Sequence, residues 1–515
     1  MSLRPPQRVA ALAAAILTAA VAPLASSAPA VPIPVLVVPS SSGCSPDGVT
    51  LRYVVLFPPG TSGRAAAADV GASCGAIAAY YREIGVAVAT STHPAFGDRV
   101  GPERAYSAQS EALPESDAPS KSEAPPGHDI RAVPVIGASS PVRGWAGART
   151  SDPRVMASTD RNEEQWDMAL IRAPEAREVE PGSRNVVVGV LDSGVDPAHP
   201  DLVAALDPGR SAGCLSGRAD HSPSAWAPTG SVHGTHVAGT IAAADDGRGV
   251  TGVAPGVRIA AVKVVDDEGF IYPEYVVCGF MWAAQQHMRV TNSSYFVDPW
   301  LFTCSDEPGQ AVAHEAVRRA VQFATRAGVF HVAAVGNEGT DLANPVQDVR
   351  SPDNTPVPRP RPVDDDCDVL PAELTGVTAV SAVGSQRLRP SYSSYGSDVV
   401  DVTGPGGDPA QPPGVSSSGC VLSTIPNGYG YACGTSMAAP HAAGVAALLA
   451  STHPDAGPEQ LATLLTDDAD PLPCPTGDDP DRDITSDSAA RSDVGCTGDG
   501  FYGHGLVDAL DAVTR

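Results

Sequence analysis

The sequence predicts an α/β fold, with a mainly parallel central sheet covered by helices on both faces and a small α+β unit in front of it. Two observations carry that prediction. Short apolar runs at Val186–Leu191, Ile259–Val265, Arg289–Asn292, Val329–Val335 and Val377–Val383 are mostly separated by helix-compatible stretches, the alternation that lays strands side by side in parallel. The residues suited to chemistry fall at strand ends and helix starts, where active sites collect in open α/β sheets. Residues 159–515, about 350 in number, suffice for one large domain.

In chain order, residues 1–30 read as a signal peptide. Arg4 and Arg8 precede an apolar stretch from Val9 to about Leu24, and Ala28-Pro29-Ala30 supplies the small residues of a cleavage site. Pro23 interrupts the stretch, which argues against a permanent anchor. Residues 31–100 form the α+β unit: the strand LRYVVLF (Leu51–Phe57), a Pro-Pro-Gly turn, the alanine-rich stretch Ala65–Arg82 and the strand-like VAVAT. Residues 101–158 are a Pro/Ser/Ala-rich linker whose composition cannot bury a core. The linker serves either as an accessible processing segment or as a passive spacer. No later segment, including the closing LVDALDAVTR, is apolar enough to span a bilayer, so no membrane association is expected after signal removal.

The formal charge of −26, from 59 acidic against 33 basic side chains, argues against binding nucleic acid or anionic membranes and for a well-solvated surface. Ten cysteines in an exported chain point to disulfides. Cys44 and Cys74 fall in the front section and the other eight in the main domain, where no CxxC pair supports zinc. Short loops favour Cys420 with Cys433 and Cys474 with Cys496, leaving Cys214, Cys278, Cys304 and Cys367 to pair among themselves.

Four segments carry the chemistry. VVVGVLDSGVD puts Asp192 at the carboxyl end of an apolar run, while HGTHVAGT and CGTSMAAPHAAG put His233 and Ser436 at helix starts. A serine hydroxyl is a poor nucleophile at neutral pH. It needs an imidazole to take its proton, and a carboxylate to fix that imidazole's tautomer. The Ala- and Val-rich run after Ser436 reads as a helix buried on most sides, with Pro440 tolerated only near its first turn. At its N-terminus, exposed N–H groups favour developing negative charge. In FHVAAVGNEG, an apolar run ends at Gly336 and Asn337. Singly, each residue has a plainer role as a cap or a turn residue. Their shared placement favours a catalytic set.

The chain order Asp, His, Ser resembles that of the subtilisin-like serine proteases, the subtilase family, and not that of the chymotrypsin-like proteases or the α/β-hydrolases. The resemblance implies a three-layer subtilisin-like fold made as a secreted pre-pro-enzyme. It implies catalytic Asp192, His233 and Ser436, with an oxyanion hole formed by the Asn337 side-chain amide and the Ser436 backbone N–H. The family motif gives the base role to the first histidine of HGTH, so His236, like His199 and His441, is expected to be structural. Residues 31–100 become a propeptide that assists folding and then acts as an intramolecular inhibitor.

The segment TNSSYFVDPW departs from the family pattern NMSLGG. Ser294 matches, but Tyr295 and Phe296 replace leucine and glycine, which narrows or redirects the pocket unless the loop repacks around Pro299 and Trp300. Ser294, Tyr295, Phe296 and Gly336 are the expected substrate-binding residues, and no acidic residue is placed to select Lys or Arg. The chemistry needs no cofactor. The family further implies a structural calcium, for which Asp201 and Asp246 are the matching ligands; Arg248 intrudes, and the aspartates read equally well as solvated turn residues. The expected protein is thus a monomeric serine-type endopeptidase acting on protein or peptide substrates. The alternatives are a dedicated processing protease for one exported peptide, or a non-catalytic binding protein on the same fold. An acid-active serine-carboxyl peptidase would carry Glu and Asp where this chain has His233 and Asn337.

Overall fold

A computed structural model describes residue 44 and residues 48–112, 159–411, 418–473 and 500–515, all within the unit Ser41–Arg515. The expected signal peptide, the linker from 113 to 158, and Cys474 and Cys496 lie outside the described residues.

The front unit contains β1 (Leu51–Leu56), α1 (Gly63–Ala72), β2 (Ala76–Tyr81), β3 (Val86–Ser91), α2 (Phe96–Val100) and β4 (Ala105–Tyr106). Its sheet runs β2-β3-β1-β4, with antiparallel neighbours. The alanine-rich stretch divides into a helix and a strand because the chain turns at Cys74, which takes φ 74° and is disulfide-bonded to Cys44. Ala105 and Tyr106 pair with β1, so the ordered front unit reaches past residue 100 into the segment expected to be linker. Two buried side chains anchor what composition alone marks as spacer.

The main sheet is built from β5 (Val187–Asp192), β6 (Ala212–Gly213), β7 (Arg258–Lys263), β8 (Val290–Ser293), β10 (Phe330–Ala334), β14 (Val377–Val383) and β15 (Val402–Pro405), ordered β15-β14-β10-β8-β5-β7-β6. Every neighbour in it is parallel. Small pairs complete the strands: β9 (Thr303–Cys304) with β13 (Cys367–Asp368), β11 (Gln347–Asp348) with β12 (Arg361–Pro362), and β16 (Val421–Ile425) with β17 (Gly428–Ala432).

Side chains alternate between the faces of a strand, so an apolar strand feeds two cores. Val188 and Val190 of β5 join one cluster with helices α4 (His233–Ala242) and α7 (Thr435–Thr452). Val187 and Leu191 join the other, with α5 (Pro273–Gln285) and α6 (Gln310–Arg326). Helices on both faces of a seven-stranded parallel sheet make the expected three-layer α/β arrangement.

Cys420–Cys433 closes the β16–β17 hairpin at a sequence separation of 13, as the short loop predicts. Cys214–Cys278 and Cys304–Cys367 join residues 64 and 63 apart. The front unit lies across α5 and α6. Val54, Ile84, Val86 and Tyr106 enter the cluster under those helices, and Arg319 donates to the Phe57 and Ile84 carbonyls at 2.8 and 3.0 Å.

Candidate active site

Asp192 is the last residue of β5 and His233 the first of α4. The His233 Nδ1 lies 2.8 and 2.9 Å from the two Asp192 carboxylate oxygens. Small residues permit this approach: a Cβ on Gly234 would sit 2.4 Å from the Gly194 carbonyl oxygen and 3.0 Å from Asp192 Oδ1. The carboxylate also accepts the Ser193 N–H at 2.7 Å, and Ser193 Oγ accepts the Gly234 N–H at 3.0 Å. Burial opposes the imidazolium of His233, but the charge of Asp192 and its hydrogen bond outweigh it, so the pKa lies above the ordinary 6.5.

Ser436 occupies the second position of α7, where a backbone N–H has no intrahelical acceptor. Its Oγ donates to the Ser294 carbonyl at 3.2 Å, and the buried His233 Nε2 has no hydrogen-bond partner. Pro440 lies beyond the first turn of α7, deeper than the sequence suggested. It has no N–H to give the carbonyl four residues back, which is that of Ser436. Ser294 Oγ fills the gap, donating to the Ser436 carbonyl at 2.9 Å while accepting from Asn292 Nδ2 at 2.8 Å. The expected substrate-binding serine is thereby tied on both sides to the residue it faces.

Asn337 follows β10, after Gly336 at φ 104°. Its Oδ1 accepts the Thr435 N–H at 2.8 Å and the Thr435 hydroxyl at 3.0 Å. A backbone N–H can only donate, so the oxygen of the amide must face it and the NH2 group must point the other way. The Asn337 N–H itself donates to Glu338 Oε2 at 2.8 Å. The structure thus ties Asn337 to α7, and Ser294 to the same helix one residue further on.

Tyr295 and Phe296, next in sequence to Ser294, are buried in two different apolar clusters. His236 Nε2 bridges the Val421 and Gly430 carbonyls at 3.2 Å each, and burial together with nearby His233 pushes its pKa down to about 3. His199 contacts the Gly428 carbonyl at 2.9 Å, and His441 contacts Asp167 at 3.0 Å.

Asp201 Oδ2 accepts the Val250 N–H at 3.2 Å and the Tyr429 hydroxyl at 2.9 Å, whereas Asp246 is paired with Arg248 at 2.8 Å. Calcium needs six to eight converging oxygens. Carboxylates committed to separate donors do not fit that demand, and no group of three or more acidic, histidine or cysteine side chains suited to a metal occurs among the described residues.

Residues 183–504 match the model of the subtilase family. The chain belongs to that family. As a subtilase it is 35% identical over 292 residues to subtilisin NAT of Bacillus subtilis subsp. natto, covering 56% of this chain and 61% of that one. It is equally 35% identical over 292 residues to a subtilisin of Bacillus pumilus, covering 85% of the relative. The match thus spans less than two thirds of the first of these curated relatives. Among solved structures, the epidermin leader peptide processing serine protease of Staphylococcus aureus superposes with a TM-score of 0.63 at 18% identity, over 90% of this chain and 98% of that one. The nisin leader peptidase of Lactococcus lactis gives 0.52 at 21%, over 69% and 95%. These two likenesses establish the subtilase fold.

Proposed function

We propose that this subtilase is a secreted serine endopeptidase, made as a zymogen, that hydrolyses peptide bonds of proteins or peptides through an acyl-enzyme. The observation that carries the reading is the buried Asp192–His233 pair beside a helix whose N-terminus bears Ser436. With Nδ1–H given to Asp192, the His233 Nε2 is the proton acceptor. Rotation of the Ser436 hydroxyl from the Ser294 carbonyl to that nitrogen supplies the nucleophile; catalytic hydrogen bonds commonly tighten only when substrate binds. Attack on the carbonyl carbon moves the proton to His233 and places negative charge on the substrate oxygen, toward which the Asn337 NH2 and the Ser436 N–H donate. His233 then protonates the leaving amine, and water repeats the sequence on the ester.

The front unit is assigned the role of intramolecular inhibitor, supported by its packing on α5 and α6. Secretion is supported by the described disulfides, and no described helix is long and apolar enough to cross a membrane. No step of the proposal passes through a metal.

The test is to secrete the wild type and Ser436→Ala, follow intact mass, and add a fluorophosphonate. Loss of the front section and labelling at Ser436 in the wild type alone support the reading. A wild type whose front section has been removed by an added protease, and which is folded yet unlabelled, overturns it. On a peptide p-nitroanilide substrate, Asn337→Ala is expected to lower kcat about 100-fold or more.

A further inference from the structure

We propose that Arg350, reached only through the loop that follows Gly339, is a positioning residue for catalysis: it neutralises and holds Glu338, which in turn fixes Asn337. The proposal rests on reading Asn337 as the oxyanion donor. Glu338 Oε2 accepts the Asn337 backbone N–H at 2.8 Å, and a Cβ on Gly336 would stand 2.7 Å from the same oxygen. The carboxylate therefore lies directly against the backbone of the two residues that present the Asn337 amide. The other carboxylate oxygen, Oε1, is taken by Arg350 Nη1. The two oxygens of one half-buried carboxylate thus join a surface loop to the oxyanion residue.

Charge makes the pairing consequential. Negative charge grows on the substrate oxygen in the transition state, and a bare carboxylate bonded to the Asn337 backbone would oppose that growth. The Arg350 guanidinium cancels it, while a hydrogen-bonded ion pair holds the carboxylate in one place. The loop that delivers Arg350 is itself fixed. Asp348 Oδ1 accepts the N–H groups of Arg350 and Ser351 at 3.0 and 3.1 Å, and Asp348 Oδ2 lies 3.4 Å from Arg361 Nη2. The β11–β12 pairing sets Asp348 opposite Arg361. Arg361 in turn donates to the Phe302 carbonyl, beside the Cys304–Cys367 bridge. Arg350 is thus presented by a braced turn.

The test secretes the full chain as Arg350→Ala, Arg350→Lys, Asn337→Ala and the double Arg350→Ala/Asn337→Ala. Each is matured with a trace of tagged wild-type enzyme that is then removed. Active sites are counted with a fluorophosphonate, and kcat and KM are read on a peptide p-nitroanilide. Arg350→Ala is expected to lower kcat per titrated site about tenfold or more, with KM changed less than about twofold. Arg350→Lys is expected to recover most of the loss, and the double variant to match Asn337→Ala. A purely structural arginine gives a different pattern: fewer titratable sites or a lower Tm, with kcat per site unchanged. That pattern, or an equal loss with and without Asn337, overturns the proposal. Should Asn337→Ala alone leave kcat unchanged, the reading of Asn337 fails first and the role of Arg350 fails with it.

Discussion

At His233, burial and charge pull in opposite directions. Burial favours the neutral ring, and the Asp192 carboxylate favours the imidazolium strongly enough to raise the pKa above 6.5. A general base works only when neutral, so kcat/KM is expected to fall as pH drops through a midpoint above 6.5. In Asp192→Asn the raising influence is gone and burial remains, so the midpoint should move below 6.5 while kcat drops about 10,000-fold. A pH–rate profile of both proteins reads the shift; an unmoved acid limb in the variant would show that another group controls it. The strand-end and helix-start positions of Asp192, His233, Ser436 and Asn337 were legible in sequence because each sits beside a short motif whose local element fixes its address. The bonding of Ser294 to Ser436 was not legible. The free carbonyl left by Pro440 was the available signal, and it identifies its donor only once β8 and α7 are packed together. Glu338 with Arg350 was not legible at all, since the contact exists only after β11 and β12 pair.

Among the elements, α7 does the most joining. It bears Ser436, supports Asn337 through Thr435 and packs along the sheet. A further contact of α7 reaches the segment ahead of the sheet: His441 meets Asp167 of helix α3 (Trp166–Leu170) at 3.0 Å, with both side chains wholly buried. His441 also reaches the Met437 carbonyl at 2.8 Å. The pair pins the segment entering the main domain to the helix that bears Ser436. Removing Asp167 leaves a buried His441 ring nitrogen without its partner, and an unsatisfied buried polar group costs about 1–3 kcal/mol. Asp167→Ala is therefore expected to lower stability by about 1–3 kcal/mol, read as a reduced denaturation midpoint, while kcat per titrated active site stays near that of the wild type. A fall in kcat per site without a fall in stability would instead make the pair part of the chemistry. Strand positions were readable here because each apolar run feeds two cores, whereas the longer disulfides and the destinations of Tyr295 and Phe296 depend on which helix covers which face.

Over the whole molecule, the interface between the front unit and the main domain is held by a few specific bonds over an apolar patch. Trp300 Nε1 donates to the Tyr106 hydroxyl at 2.8 Å, Asn354 Nδ2 donates to the Ala108 carbonyl at 2.9 Å, and Arg52 reaches the Tyr275 hydroxyl at 3.1 Å. Two of these donors, Trp300 and Asn354, lie in loops flanking the route from β8 to β14, so the far end of the front unit is gripped on the side of the molecule that also supplies Arg350. Arg319 grips the other end through two carbonyls. A charged donor serving two otherwise buried acceptors is worth about 1.5–3 kcal/mol per bond. Its removal should loosen the docked unit by about tenfold or more. If the front unit inhibits by staying docked after it is cut, Arg319→Ala should shorten the lag between precursor cleavage, seen by intact mass, and the appearance of peptidase activity. An unchanged lag, with cleavage itself proceeding normally, would mean that the docked unit does not restrain the active site and that its role ends at folding.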